Sequence, residues 1–440
     1  MTEASIAREP ELAARLDEAR RLADSGRLLE AEQAFLAILR DAPRETDALN
    51  FVAILAHERG RYAQALALLE RARGANAEDP VTLTNLGVTN AALGRLEPAI
   101  EALRAALAIA PDLFVARLRL AEVMERAGRA NDALALYFGA IFAAQGAGQW
   151  LNDATTAPGL RPLVLHAMRT VAAGRRQLFS KLLQPLRERH GAASLMRVEK
   201  CLAAYLTEID ARSPDPAQQP KFLYFPDLPP TRFYDRELFP WYAELEGASA
   251  AIREEMLAVL AEDSGFEPFL GHFDDHQLEG HLANAVGGKP VWNAFFFYRH
   301  GTPYEANRAR CPKTSAVLKK VPLCHVRDHS PECCFSVLTA GSHILPHRGV
   351  TNTRLVTHLG LVVPEGDIKL HVSGESTGWQ EGRCFTFDDT FEHEAWNRSA
   401  KTRVVMLMDV WNPHLTDIER EALQALVPAI GEFNEAAGIG

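Results

Sequence analysis

The chain has 440 residues, about three times the usual size of one domain, and its 47% hydrophobic and 24% charged residues exclude collagen-like, disordered and disulfide-scaffold proteins. A net charge of −10 removes the basic surface that non-specific nucleic-acid binding needs, so no nucleic-acid partner is expected. No apolar run reaches the roughly 18 residues of a membrane span, no apolar core follows Met1, and six unevenly spaced cysteines fit a reduced cytoplasmic protein.

From the N-terminus, Gly-Arg recurs at Gly26, Gly60, Gly94 and Gly128, every 34 residues, and an alanine follows each glycine by five positions (Ala31, Ala65, Ala99, Ala133). Glycine supplies the turn between two antiparallel helices, and alanine allows their close approach. Pro43 and Pro111 fall where helix pairs should end. This unit resembles the tetratricopeptide (TPR) repeat and predicts an all-α solenoid over residues 1–150. Its concave face would grip a peptide or protein, or serve only as a spacer or dimerisation arm. Residues 151–220 are expected to be capping helices and a proline-rich linker, and the six prolines within 213–235 mark a boundary or a strapped connector.

Residues 221–440 change character. Short β-type runs at Trp292–Tyr298, Arg354–Val363, Ile368–Val372, Arg383–Phe387 and Thr402–Val410 alternate with turn signals, which predicts an antiparallel sandwich or barrel. Within it, His347 is followed 46 residues later by His393 and ten residues after that by Arg403, in the apolar run TRVVMLMDV. Two neutral imidazoles on adjacent strands can hold Fe(II) on one face and leave positions open for O2 and a 2-oxo acid. A buried arginine would pair with the far carboxylate of that acid.

The residues FSVLTAGSHILPHRGVTNTRLVTHLGLVVP, GRCFTFDDTFEHEAWN and DVWNPHLT resemble the aspartyl/asparaginyl β-hydroxylase family of 2-oxoglutarate oxygenases, over about 200 residues counted from YFPDLPPTRFYD. The resemblance implies a double-stranded β-helix (jelly-roll, cupin-like) domain. It implies that His347 and His393 bind iron and that Arg403, Ser336 and His358 bind 2-oxoglutarate. It sets Arg354 toward a substrate carboxylate, and it puts Gly349 where most such oxygenases carry a third, carboxylate ligand that this family lacks. One departure stands out: Val356 occupies a position where the family commonly has a second arginine, which calls the Asp/Asn preference into question.

The expected activity is Fe(II)- and 2-oxoglutarate-dependent hydroxylation of a peptide or protein residue, foremost the β-carbon of Asp or Asn. Alternatives are a halogenase, with chloride in the space left by Gly349, a small-molecule hydroxylase, and a non-catalytic TPR adaptor. A further histidine group, His272, His276 and His281, has helical spacing and reads as a solvated helix face. Asp388 and Asp389 are expected either to orient the iron ligands or to cap a loop, and the adjacent pair Cys333-Cys334 suits neither a disulfide nor a zinc site.

Overall fold

The computed structural model describes residues 3–262, 264–271, 280–284 and 290–439, and it divides into two compact units: 1–177 with 431–440, and 178–430. Each is described by itself.

In the first unit, eight helices form four hairpins: α1 (Glu3–Asp24) with α2 (Leu28–Asp41), α3 (Thr46–Glu58) with α4 (Tyr62–Ala75), α5 (Pro80–Ala92) with α6 (Leu96–Ile109), and α7 (Phe114–Arg126) with α8 (Ala130–Gly146). The turn glycines 26, 60, 94 and 128 all adopt φ between +73° and +78°, a conformation other residues reach only with strain. Ala31, Ala65, Ala99 and Ala133 are buried where the second helix of each pair meets the first. Pro43 and Pro111 lie between hairpins, and Pro80 opens α5.

The second unit is β-rich. Its strands are β1 (Glu267–Pro268), β2 (Leu282–Asn284), β3 (Trp292–Arg299), β4 (Thr302–Pro303), β5 (Cys333–Leu338), β6 (Ser342–His347), β7 (Arg354–Val362), β8 (Ile368–Val372), β9 (Glu375–Thr377), β10 (Cys384–Phe387), β11 (His393–Asn397) and β12 (Arg403–Trp411). They form two antiparallel sheets, one ordered β1-β3-β5-β12-β7-β10 with β4 beside β3, the other β2-β6-β11-β8-β9. The β-rich expectation holds, but among the described residues the sheets stay separate and do not close into a barrel.

Strand alternation divides the core. Odd positions of β12 (Val405, Leu407) and even positions of β7 (Val356) join Ile344, Leu370, Val372 and Ala395 of the small sheet in a layer between the two sheets. The opposite faces (Val404, Met406, Met408, Val410, Leu355, Leu359) pack on Tyr242, Leu245, Ile252, Met256, Val259 and Leu318, contributed by helices Tyr242–Gly247, Ser249–Glu262 and Pro312–Leu318.

The proline-rich stretch is a strapped connector. Its amides reach the loops after β6 and β10: Gln219 N–H donates to Thr390 O (3.0 Å), Lys221 N–H to Gly349 O (3.1 Å), and Leu223 N–H to Val350 O (3.0 Å). Asp388 N–H returns a bond to Arg232 O (3.0 Å).

Gly360, inside β7, has no space for a side chain: a Cβ there would lie 2.4 Å from Gln380 O, a backbone atom. Gly360→Ala should therefore cost about 1–3 kcal/mol of stability. Denaturant unfolding checks this, and an unchanged midpoint would show that the Gln380 segment yields freely.

Candidate active site

β6 and β11 are antiparallel neighbours, and their register puts His347 directly opposite His393, with ring centroids 4.1 Å apart. In each imidazole Nδ1 faces a backbone carbonyl, Leu345 O at 2.8 Å and Phe391 O at 3.0 Å. A carbonyl only accepts, so each Nδ1 must carry the hydrogen and each Nε2 is left with a lone pair. Burial lowers the pKa of both rings, that of His393 to about 4 with help from the neighbouring His347. Both are therefore neutral near pH 7, the state in which imidazole binds a metal.

The pair lines a cavity of about 270 Å³ shared with Ser336, Arg354, Val356, His358, Asp389 and Arg403. Alternation explains the gathering: Arg354, Val356 and His358 are i, i+2, i+4 on β7, while Arg403, Leu407 and Asp409 fall on one face of β12. His347, His393, Arg403, Ser336, His358 and Arg354, the six site residues picked out in the sequence, thus come together between the sheets. Of the separate histidine group, His272 and His276 lie outside the described residues, and His281 sits in an exposed turn before β2.

Arg403 is 1% exposed, and its Nε and Nη1 have no hydrogen-bond partner. Burial alone drives its pKa down toward about 9. An unpaired guanidinium at that depth fits an anionic ligand. The indole N–H of Trp379 donates to His358 Nδ1 (3.1 Å), so the hydrogen of that ring is on Nε2, which is buried without a partner. Trp379 also stacks under the Arg403 guanidinium at 4.7 Å. Trp292 N–H donates to Ser336 Oγ (3.0 Å), leaving the Ser336 hydroxyl hydrogen free to turn elsewhere. Arg403, His358 and Ser336 therefore offer donors only, as a dicarboxylate would require.

Asp389 occupies the space beside Gly349: a Cβ on that glycine would fall 2.2 Å from Asp389 Cγ. Its Oδ2 pairs with Arg354 Nη1 at 3.0 Å, and its Oδ1 has no partner. The same Nη1 reaches Asp409 Oδ1 at 3.0 Å. Asp388, by contrast, accepts from the amide and hydroxyl of Thr390 and from Gln218 Nε2, and so caps the loop. The sequence reading missed Trp379 and Asp409. Trp379 lies in a polar loop and Asp409 in an apolar strand, and nothing near either one signals its partner.

Among the described residues, no group of three or more His, Cys, Asp or Glu side chains forms a metal site. The donor set fits a metal held by two imidazoles: two opposed Nε2 lone pairs, with an unpartnered Asp389 oxygen nearby.

The lowered His393 pKa carries a sign. The unfolded imidazole, at 6.5, takes up its proton before the folded one at about 4. Stability from this group is full above pH 6.5 and is lost as pH falls toward 4, by about 3 kcal/mol in total. His393→Gln should flatten that part of the stability–pH curve, measured by urea unfolding at pH 7.5 and 4.5. An equal acid loss in both proteins would contradict it.

Residues 246–413 match the model of the Aspartyl/Asparaginyl beta-hydroxylase family, and residues 56–112 match a tetratricopeptide repeat model. The chain is 37% identical over 182 residues to the Rhizobium tropici ornithine lipid ester-linked acyl 2-hydroxylase (41% of this chain, 60% of that protein). It is 30% identical over 245 residues to human aspartate beta-hydroxylase domain-containing protein 2 (55% and 63%). With human aspartyl/asparaginyl beta-hydroxylase the figures are 34% over 175 residues (40% and 21%). The chain thus spans about three fifths of the first two proteins and about a fifth of the third. Among solved structures, a Thermobaculum terrenum O-GlcNAc transferase mutant aligns with 28% of this chain and 23% of its own, at 31% identity and a TM-score of 0.26. Among the described residues no helix is long and apolar enough to cross a membrane. Residues 246–413 are thus similar to the aspartyl/asparaginyl β-hydroxylases, and residues 56–112 to tetratricopeptide repeats.

Proposed function

We propose that the protein is an Fe(II)- and 2-oxoglutarate-dependent hydroxylase of a peptide or protein residue, foremost at the β-carbon of Asp or Asn. The observation that carries this reading is the donor arrangement: two opposed neutral imidazoles beside a buried, unpaired Arg403. The overall reaction is R–H + O2 + 2-oxoglutarate → R–OH + succinate + CO2. Two facing antiparallel sheets support reading the domain as an open form of the double-stranded β-helix.

In this reading His347 and His393 hold the iron through Nε2, and their Nδ1–H groups lock ring orientation on the backbone. Iron supplies the oxygen-activating chemistry when bound. Arg403 pairs with the distal carboxylate of 2-oxoglutarate, and Ser336 and His358 donate hydrogen bonds to the same molecule. Arg354 lies on the substrate side, tied to Asp389 and Asp409. The aromatic walls Phe269, Trp292 and Phe387 keep water from the reacting carbon. The TPR hairpins hold the peptide or protein partner. All six cysteines are free and buried, which supports a cytoplasmic setting. A second reading, hydroxylation of a lipid acyl chain, is favoured by the acyl hydroxylase among the relatives.

His347→Ala and His393→Ala should each abolish iron binding and succinate formation, because neither ligand has a substitute. Near-normal turnover in either variant would overturn the assignment. Arg403→Ala should keep iron binding but raise half-saturation by 2-oxoglutarate several hundredfold, since stripping a buried carboxylate of its partner costs about 3–5 kcal/mol. Titration of 2-oxoglutarate against succinate formation measures this, and an unchanged half-saturation would remove Arg403 from the role.

A further inference from the structure

Three guanidinium groups line the cavity: Arg348, Arg354 and Arg403. Arg348 is paired with Glu392 at 2.9 Å. Arg354 is shared between two carboxylates, Asp389 and Asp409, each at 3.0 Å. Its charge is thus met inside the protein, and Asp409 is anchored further by the amide of Glu332 at 2.9 Å. Arg403 is the one guanidinium lining the cavity without a carboxylate partner among the described residues, and the proposed reaction assigns it to 2-oxoglutarate.

Two residues beyond Arg354 on the same face of β7, the wall is Val356, opposite Phe387 on β10 and Asp409 on β12. Valine offers neither charge nor hydrogen bond. Around it stand Ile344, Leu370, Phe387 and Leu407. A carboxylate brought to the reacting carbon would lose its water, gain no free cation, and meet the oxygens of Asp389 and Asp409, a combination that strongly disfavours it. An uncharged group loses much less on entry, and an amide N–H can use the unpartnered Asp389 Oδ1.

We infer that the side chain offered to the iron is uncharged, so that Asn or an aliphatic residue is accepted and Asp is refused, and that Val356 is the specificity-determining residue. This rests on the iron and 2-oxoglutarate reading of the site. Discrimination of this kind excludes the wrong ligand by leaving its charge unpaired rather than by clashing with it.

The full-length protein, supplied with Fe(II), 2-oxoglutarate and O2, is incubated with a proteolytic digest of total cell protein and, separately, with a total lipid extract. Products gaining one oxygen are located by fragmentation mass spectrometry. The expected result is oxygen on uncharged residues, with Asp under-represented at least about tenfold relative to Asn, the ratio that 1.4 kcal/mol gives. Val356→Arg should raise the Asp share by about the same factor. Val356→Lys, a second way of placing a cation on that wall, should raise the Asp share likewise, which covers the case in which the arginine variant fails to fold. Oxygen on Asp as often as on Asn in the unaltered protein overturns the inference, as do products confined to the lipid extract or no product at all while succinate still forms. Absence of succinate with both mixtures, together with no binding of Fe(II) to the full-length protein, would instead mean that the iron and 2-oxoglutarate reading has failed.

Discussion

The pairing of β6 with β11 sets the terms for everything else in the β-rich unit. Antiparallel register brings His347 and His393 face to face, and a slip of one residue would send one imidazole to the other side of the sheet. The bond from each Nδ1 to the carbonyl two residues earlier adds a second restraint. Strand register fixes where the rings stand, and the backbone carbonyls fix how they face. No third side chain is needed to orient them.

A second constraint is electrostatic. The cavity concentrates arginines and carboxylates in a low-dielectric interior, where every charge must be met. Arg354 is met twice, Arg348 once, and Arg403 by stacking on Trp379 alone. That unevenness separates the guanidinium groups paired inside the protein from the one whose Nε and Nη1 have no hydrogen-bond partner. Burial also pushes the Asp409 carboxyl up to about 7 despite its arginine neighbour, a sign of how dry this part of the sheet is.

The helical hairpins were legible because their determinants are local: a glycine with positive φ and a small residue five positions later recur in every unit. Strands β3, β7, β8, β10 and β12 were legible from runs of branched and aromatic residues. Strands β5, β6 and β11 were not. CCFSVL, SHILPH and HEAWN mix polar, sulfur and proline residues, because these strands carry the cavity-lining side chains Ser336, His347 and His393. Partnerships across long sequence distance were equally hidden. Arg354 meets Asp409 only because β7 and β12 are neighbours, and Trp379 reaches His358 from a loop. Proline density correctly signalled the absence of helix in 213–235, but it carried no sign that the stretch would pair with the loops around Gly349 and Thr390.

That strap bears on where the β-rich unit begins. The family match starts at residue 246, yet the peptide groups of Gln219, Lys221, Leu223 and Arg232 complete the hydrogen bonding of the two loops that flank the imidazole pair. Asn352 exchanges two further bonds with the backbone of Phe225, at 2.8 and 2.9 Å. A fragment cut at residue 246 would expose those carbonyls and amides to solvent and leave both loops unbraced. The smallest piece able to stand alone therefore extends upstream of the matched residues, and the proline-rich stretch belongs to the β-rich unit.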